Sequence, residues 1–172
     1  LVYSTTAIKA ARLHHELPFT ELIFARQWFR ILALAKDLRV DDRVSGLLVA
    51  GAESPPVSDV FLETTDTNEG KELQALCRSL ARPLRAALEG TLLLRDEASA
   101  QRLHVCFLAT SAAYVGVAAT ANSSANPMGI PRLRFPSGAP SRSTLKLEEA
   151  FLTFLDAEQR ARELQAGMHA VD

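Results

Sequence analysis

A chain of 172 residues, 48% hydrophobic and 23% charged, has enough apolar material for one core or two small ones. Its net charge of −1 and pI near 6.5 exclude a globally basic protein, so any binding of a polyanion must come from local clusters of charge. No apolar run approaches the roughly 18 residues of a membrane span, nothing reads as a signal peptide, and Cys77 and Cys106 fit reduced core positions, which together point to the cytoplasm.

Residues 1–4 read as the end of a strand. Thr5 or Thr6 caps a helix to about Leu17, with Ala7, Ile8, Ala11 and Leu13 spaced for one face, and Pro18 ends it. His14 and His15 are adjacent, so they point apart and cannot form an i,i+4 metal pair; a solvated pair is expected. Phe24 to Leu34 is rich in aromatics and its front is expected to be a strand. Trp28 and Phe29 suit a small core better than a base-stacking surface. Strand, helix, strand over 1–38 is half of a ferredoxin-like unit.

Asp41 or Asp42 opens a second helix to about Ala52. Asp59 to Thr65 is a strand with Val60, Leu62 and Thr64 on one face. The clearest element is a helix from about Asn68 to Glu89, capped by Asp66, Thr67 or Asn68. Its apolar residues, from Leu73 through Leu76, Cys77, Leu80 and Leu84 to Leu88, recur at three- and four-residue steps. Lys71, Arg78, Arg82 and Arg85 fall within about 60° on the opposite side. This basic stripe, expected to carry no acid at its centre, is either a solvated face or a row of phosphate contacts. Pro83 removes one helical hydrogen bond and is expected to bend the helix.

Gly90 ends this helix, and Thr91 to Leu94 is expected as a short strand. Leu103 to Thr110 and Ala113 to Thr120 are strands joined by a tight turn, with apolar runs that imply central, two-sided burial. His104 suits a satisfied structural histidine. The pattern is α/β, with the layers of an α+β fold. Residues 129–140 hold Pro131, Pro136 and Pro140 with two glycines and form an irregular arm carrying Arg132 and Arg134. A helix follows, capped by Ser143 or Thr144, with Lys146 in its first turn against the helix dipole. A second helical stretch runs from Asp156 to Gly167, and Met168 to Asp172 turns apolar again.

The string Ser141-Arg142-Ser143-Thr144-Leu145-Lys146-Leu147-Glu148-Glu149 resembles the S-R-x-x-x-K-L-x-E opening of FtsJ-like ribosomal RNA 2'-O-methyltransferases. Together with Phe24-Ala25-Arg26-Gln27-Trp28-Phe29 and Asp66-Thr67-Asn68-Glu69, the chain is similar to the M-type (RlmM) family of large-subunit, 23S rRNA cytidine 2'-O-ribose methyltransferases. That family couples a THUMP domain to a Rossmann-like catalytic domain using S-adenosylmethionine. The resemblance implies a partial ferredoxin-like unit over 1–38, a THUMP-like mixed-sheet RNA-binding domain over 39–126, a linker arm over 127–142 and the start of a methyltransferase domain over 143–172. It makes Lys146 the first lysine of a Lys-Asp-Lys-Glu tetrad. Arg142 matches the arginine four residues before that lysine; with Arg26, the stripe of Lys71, Arg78, Arg82 and Arg85, and Arg132 and Arg134 of the arm, it is an expected contact to ribosomal RNA. The resemblance sets Asp172 at the entrance of a glycine-rich cofactor turn, and it calls for no metal. The chain is expected to be truncated at both ends and inactive by itself.

Two other readings compete. Ser143-Thr144-Leu145-Lys146 is also an S-x-x-K match of the penicillin-binding type, but no K-T-G or S-D-N accompanies it. A non-catalytic RNA-binding module would need only the stripe and the arm, with Lys146 an ordinary helix lysine.

Overall fold

The computed structural model describes residues 7–91, 93–95, 100–135, 137–138, 141 and 143–166. The chain forms two compact units, Leu1–Ile130 and Pro131–Asp172.

The first unit is a four-stranded mixed sheet with helices. In chain order it contains α1 (Ala7–Glu16), β1 (Arg30–Ala35), α2 (Arg43–Ala50), β2 (Asp59–Thr64), α3 (Asn68–Gly90), β3 (Gln101–Ala109) and β4 (Ala112–Ala119). The sheet order is β1-β4-β3-β2. β4 is antiparallel to both β1 and β3, and β2 runs parallel to β3. A parallel pair needs a crossover, and α3 supplies it. The expected α+β character therefore holds, and β3 and β4 are the central strands as their apolar runs required. The boundary expected at residue 38 does not divide the sheet, because β1 hydrogen-bonds along β4 from Arg30 to Ala35.

One face of the sheet carries Val60, Leu103, Val105, Phe107, Ala113, Val115 and Val117, all buried. Leu47 of α2 and Leu73, Cys77, Leu84 and Leu88 of α3 close this core. Leu84 and Leu88 are each 1% exposed, so truncating either to alanine costs about 2–5 kcal/mol. Thr67 is the N-cap of α3, its hydroxyl accepting the Gly70 N–H at 3.1 Å. The helix is continuous through Pro83.

Three local expectations differ. The segment 24–29 is not strand, because the Gln27 side chain occupies the backbone groups a ladder would use. Its Nε2 donates to the carbonyls of Ser124 and Asn126, and its Oε1 accepts the Ser124 and Trp28 N–H groups. The strand expected at 91–94 reduces to one bridge, Val57 to Leu94. His14 is not solvated: its ring stacks on Trp28, with centroids 4.6 Å apart.

The second unit contains α4 (Ser143–Phe154) and α5 (Ala157–Ala166). Ser143 lies within α4 rather than capping it, and its N–H donates to the Ser141 hydroxyl at 3.1 Å. Asp156 and Gln159 cap α5 reciprocally, each side chain accepting the other's N–H, at 2.7 and 3.0 Å. The apolar stretch from Met168 to Asp172 lies outside the described residues.

Candidate functional site

α3 turns its apolar side to the sheet and leaves Lys71, Arg78, Arg82 and Arg85 exposed. The four are not equivalent. Arg85 forms an ion pair with Asp59 at the start of β2. Lys71 donates to Asn68 Oδ1 at 3.3 Å. Arg78 and Arg82 have no hydrogen bond or ion pair among the described residues. Glu89 stands 18 residues after Lys71, about five full turns, and so falls on the same line. The expectation of a stripe with no acid at its centre is corrected there: Glu89 falls on its line, and Arg85 is paired with Asp59. Three cations, Lys71, Arg78 and Arg82, are without an acidic partner among the described residues.

The opposite face of the sheet holds a buried polar system that the alternation of β2 concealed. Glu63 and His104 are 3% and 0% exposed. The imidazole Nδ1 faces Glu63 Oε2 at 2.7 Å and donates to it, since a carboxylate only accepts. Glu63 Oε1 accepts the Met128 N–H at 2.5 Å. His104 stacks on Phe29 at 5.0 Å and meets the edge of Phe61. Arg102 lies 4.0 Å over Phe61, donates to the Ser124 carbonyl at 2.8 Å and approaches Asp59 at 3.8 Å. The satisfied structural histidine expected here is met only at Nδ1, because the buried Nε2 has no hydrogen-bond partner.

The Glu63 carboxylate fixes the turn Pro127–Gly129, in which Met128 and Gly129 take φ of 60° and 65°. A side chain at Gly129 would collide with the Arg26 carbonyl, so the turn requires glycine twice over. Arg26, exposed, is held at that contact through its backbone. Phe29 and Trp28 are part-buried, in keeping with the core reading. The exposed aromatic of the segment is Phe24, 98% accessible.

In the second unit, Arg132 and Arg134 are exposed on irregular backbone. Lys146 is exposed in the first turn of α4, with no hydrogen bond or ion pair among the described residues. Arg142 and Asp172 lie outside the described residues. No His/Cys/Asp/Glu group with metal-binding geometry occurs among the described residues. No helix there is long and apolar enough to cross a membrane.

Sequence reasoning passed over Arg30, at the first position of β1. It lies beside a cavity of about 530 Å³ under the end of α1. The one sequence signal was its place directly after Trp28-Phe29, in a stretch read only for its aromatics.

The first unit is thus an α+β domain with exposed cations on its crossover helix. Residues 42–119 match the family model described as "Ribosomal RNA large subunit methyltransferase M, N-terminal". The chain is 52% identical over 163 residues to the "Ribosomal RNA large subunit methyltransferase M" of Cellvibrio japonicus (strain Ueda107), covering 95% of this chain and 46% of that protein. It is 49% identical over 168 residues to the protein of the same name from Aliivibrio fischeri (strain MJ11), covering 95% and 47%. Against that from Shewanella amazonensis (strain ATCC BAA-1098 / SB2B) it is 47% identical over 163 residues, covering 94% and 45%. The chain is similar to these proteins along nearly its whole length, and it spans about half the length of the curated relatives it matches.

Proposed function

We propose that this chain supplies the RNA-binding part of an S-adenosylmethionine-dependent methyltransferase that modifies a cytidine ribose 2'-hydroxyl in 23S rRNA, in the cytoplasm. The observation that carries the reading is the identity of about half of all residues, along nearly the whole chain, with proteins named as rRNA large subunit methyltransferase M. In this reading residues 39–126 form a THUMP-like domain, completed by the strand that 1–38 contributes. Residues 127–142 form a linker arm, and 143–172 open the catalytic domain. Lys71, Arg78, Arg82, Arg26, Arg132, Arg134 and Arg142 face phosphates, and Arg85, tied to Asp59, contributes little.

S-adenosylmethionine supplies the methyl group on a sulfonium cation. The described residues do not fit it. The cavity beside Arg30 is lined by a guanidinium and two imidazoles with no carboxylate, which repels a sulfonium. A second cavity, about 330 Å³ between α4 and α5, is apolar with Glu163 as its one charged wall and offers no hydrogen-bond set for a nucleoside. Asp172 keeps its proposed place at the cofactor turn on the resemblance alone. Lys146 keeps its proposed catalytic role in either of two senses. As a base it must reach the hydroxyl in neutral form. As a clamp on the developing oxyanion it needs only its charge and position.

The test is binding to a 23S rRNA fragment by fluorescence anisotropy across a salt series. Each phosphate contact contributes about 0.7 to the salt slope on single strands. R78E/R82E is expected to weaken binding and to flatten the slope by about 1.4 for its two lost contacts. Unchanged affinity and slope would leave the stripe a solvated face, and absence of binding by the unaltered chain would overturn the RNA-binding reading.

A further inference from the structure

The cavity of about 530 Å³ lies between the C-terminal end of α1 and the sheet. His14, His15, Arg30, Gln101, Val117 and Asn122 are among its lining residues. Its size is within the range of small-ligand pockets, roughly 300–1,000 Å³, and suits one nucleotide. Three observations give it chemistry.

Arg30 is part-buried and has no hydrogen bond or ion pair among the described residues. A guanidinium taken partly out of water without a counter-charge is costly, and an anion from outside removes that cost. No carboxylate lines the cavity, so an anion entering it meets only positive or neutral groups. Gly116, where a side chain would strike the Arg30 carbonyl, lets β1 approach β4 closely enough to hold Arg30 at this edge.

The wall is also built in advance. Asn122 accepts the Phe19 N–H at 2.6 Å and donates to the carbonyls of His14 and Leu17 at 2.9 and 3.1 Å, which ties off the end of α1. Its own carbonyl accepts the Trp28 indole N–H at 2.5 Å. Trp28 in turn stacks on His14. With both amide hydrogens, its side-chain oxygen and its own carbonyl engaged, Asn122 holds this wall before a ligand arrives, while the buried His14 Nε2 has no hydrogen-bond partner.

We propose that this cleft binds the phosphate of a ribonucleotide in single-stranded RNA, with Arg30 on the phosphate, His15 at the mouth and Val117 among the apolar walls beside the base. The proposal rests on the RNA-binding reading above and extends it to a site away from the α3 stripe. A free nucleotide presents the same phosphate, so the experiment separates the two sources.

Trp28 is the one tryptophan of the chain and reports directly on the wall of the cleft. Single-stranded RNA of about eight nucleotides is titrated into the full 172-residue chain, following anisotropy and Trp28 fluorescence together. Cytidine monophosphate and inorganic phosphate are titrated in parallel. The expected result is a saturable Trp28 change with RNA, and an affinity about tenfold lower in Arg30→Gln, the loss of one charge-assisted pair. Arg30→Lys is expected to recover part of it. If Arg30→Gln unfolds, His15→Glu decides. That position is exposed, and a carboxylate at the mouth is expected to weaken RNA binding several-fold without disturbing the fold. Tighter binding of the mononucleotide than of RNA would overturn the assignment to RNA. Wild-type RNA affinity in Arg30→Gln or in His15→Glu, or a silent Trp28 at RNA saturation, would overturn the site. In R78E/R82E the Trp28 change at saturation is expected to persist. No RNA binding by the wild-type chain at any salt would instead sink the RNA-binding reading itself.

Discussion

Glu63→Ala is the perturbation that tests the buried polar system most severely. The carboxylate is 3% exposed and serves two donors, His104 Nδ1 at 2.7 Å and the Met128 N–H at 2.5 Å. Removing it leaves both donors without an acceptor in a water-poor site. Breaking one side of a buried pair costs about 3–5 kcal/mol. Against a total stability of about 5–15 kcal/mol for a domain, that is a large share. Glu63→Gln is the informative control. The amide oxygen still accepts from Met128, and its NH₂ meets a His104 ring that changes tautomer to accept, so the loss is expected near 1 kcal/mol. Urea unfolding, followed by circular dichroism and Trp28 fluorescence, measures both. Amide exchange at Met128 supplies a local readout, expected to rise in the alanine variant more than exchange in β3. Equal losses in the two variants, or a loss below about 1 kcal/mol in Glu63→Ala, would refute the claim that this carboxylate holds the turn.

Two further outcomes follow from titratable groups. Burial, with Arg30 and His104 adding, holds the His14 imidazole below its ordinary range. The unfolded chain therefore takes up this proton first as pH falls through about 6.5, and stability drops from there toward the lower folded value. His14→Gln should flatten the fall in melting temperature between pH 7.5 and 5; an identical slope would count against the assignment. Burial, reinforced by the Glu63 carboxylate, pushes the thiols of Cys77 and Cys106 up to about 11. Alkylation by iodoacetamide at pH 8 should be about 10²-fold slower in the folded chain than in urea. Comparable rates, read by mass spectrometry, would show that these thiols are not held in the core.

The elements legible in the sequence were those whose signal is local or periodic. Thr67 with the spacing from Leu73 to Leu88 gave α3, and the two apolar runs gave β3 and β4. What escaped depends on contacts across long stretches of chain. Glu63 alternates with Val60, Leu62 and Thr64 in the way an outward residue would. It is buried because the turn 65 residues away covers it. Gln27 and Asn122 read as loop polars, yet their side chains replace a ladder and a helix cap through partners about 100 residues distant. The aromatic run 24–29 gave no way to tell that Trp28 and Phe29 turn inward while Phe24 does not. At the candidate site the four stripe cations were visible, but the angular count missed Glu89, and only the fold could bring Asp59 to Arg85. Arg30 was hidden because a lone arginine carries no signal until the cavity beside it is known.

The strand order has a consequence for how this chain is made. β1 lies near the start of the sequence, yet its partner is β4, with Arg30 opposite Val117. A ribosome must synthesise through residue 119 before that edge can zip, so β1 waits until all of β4 has been made. During that wait Leu32, Leu34 and the aromatics before them have no sheet to join, and a chaperone has its natural opening there. Completion of β4 is the step that ends the exposure, so a ribosome stalled before residue 119 presents β1 without its sheet partner.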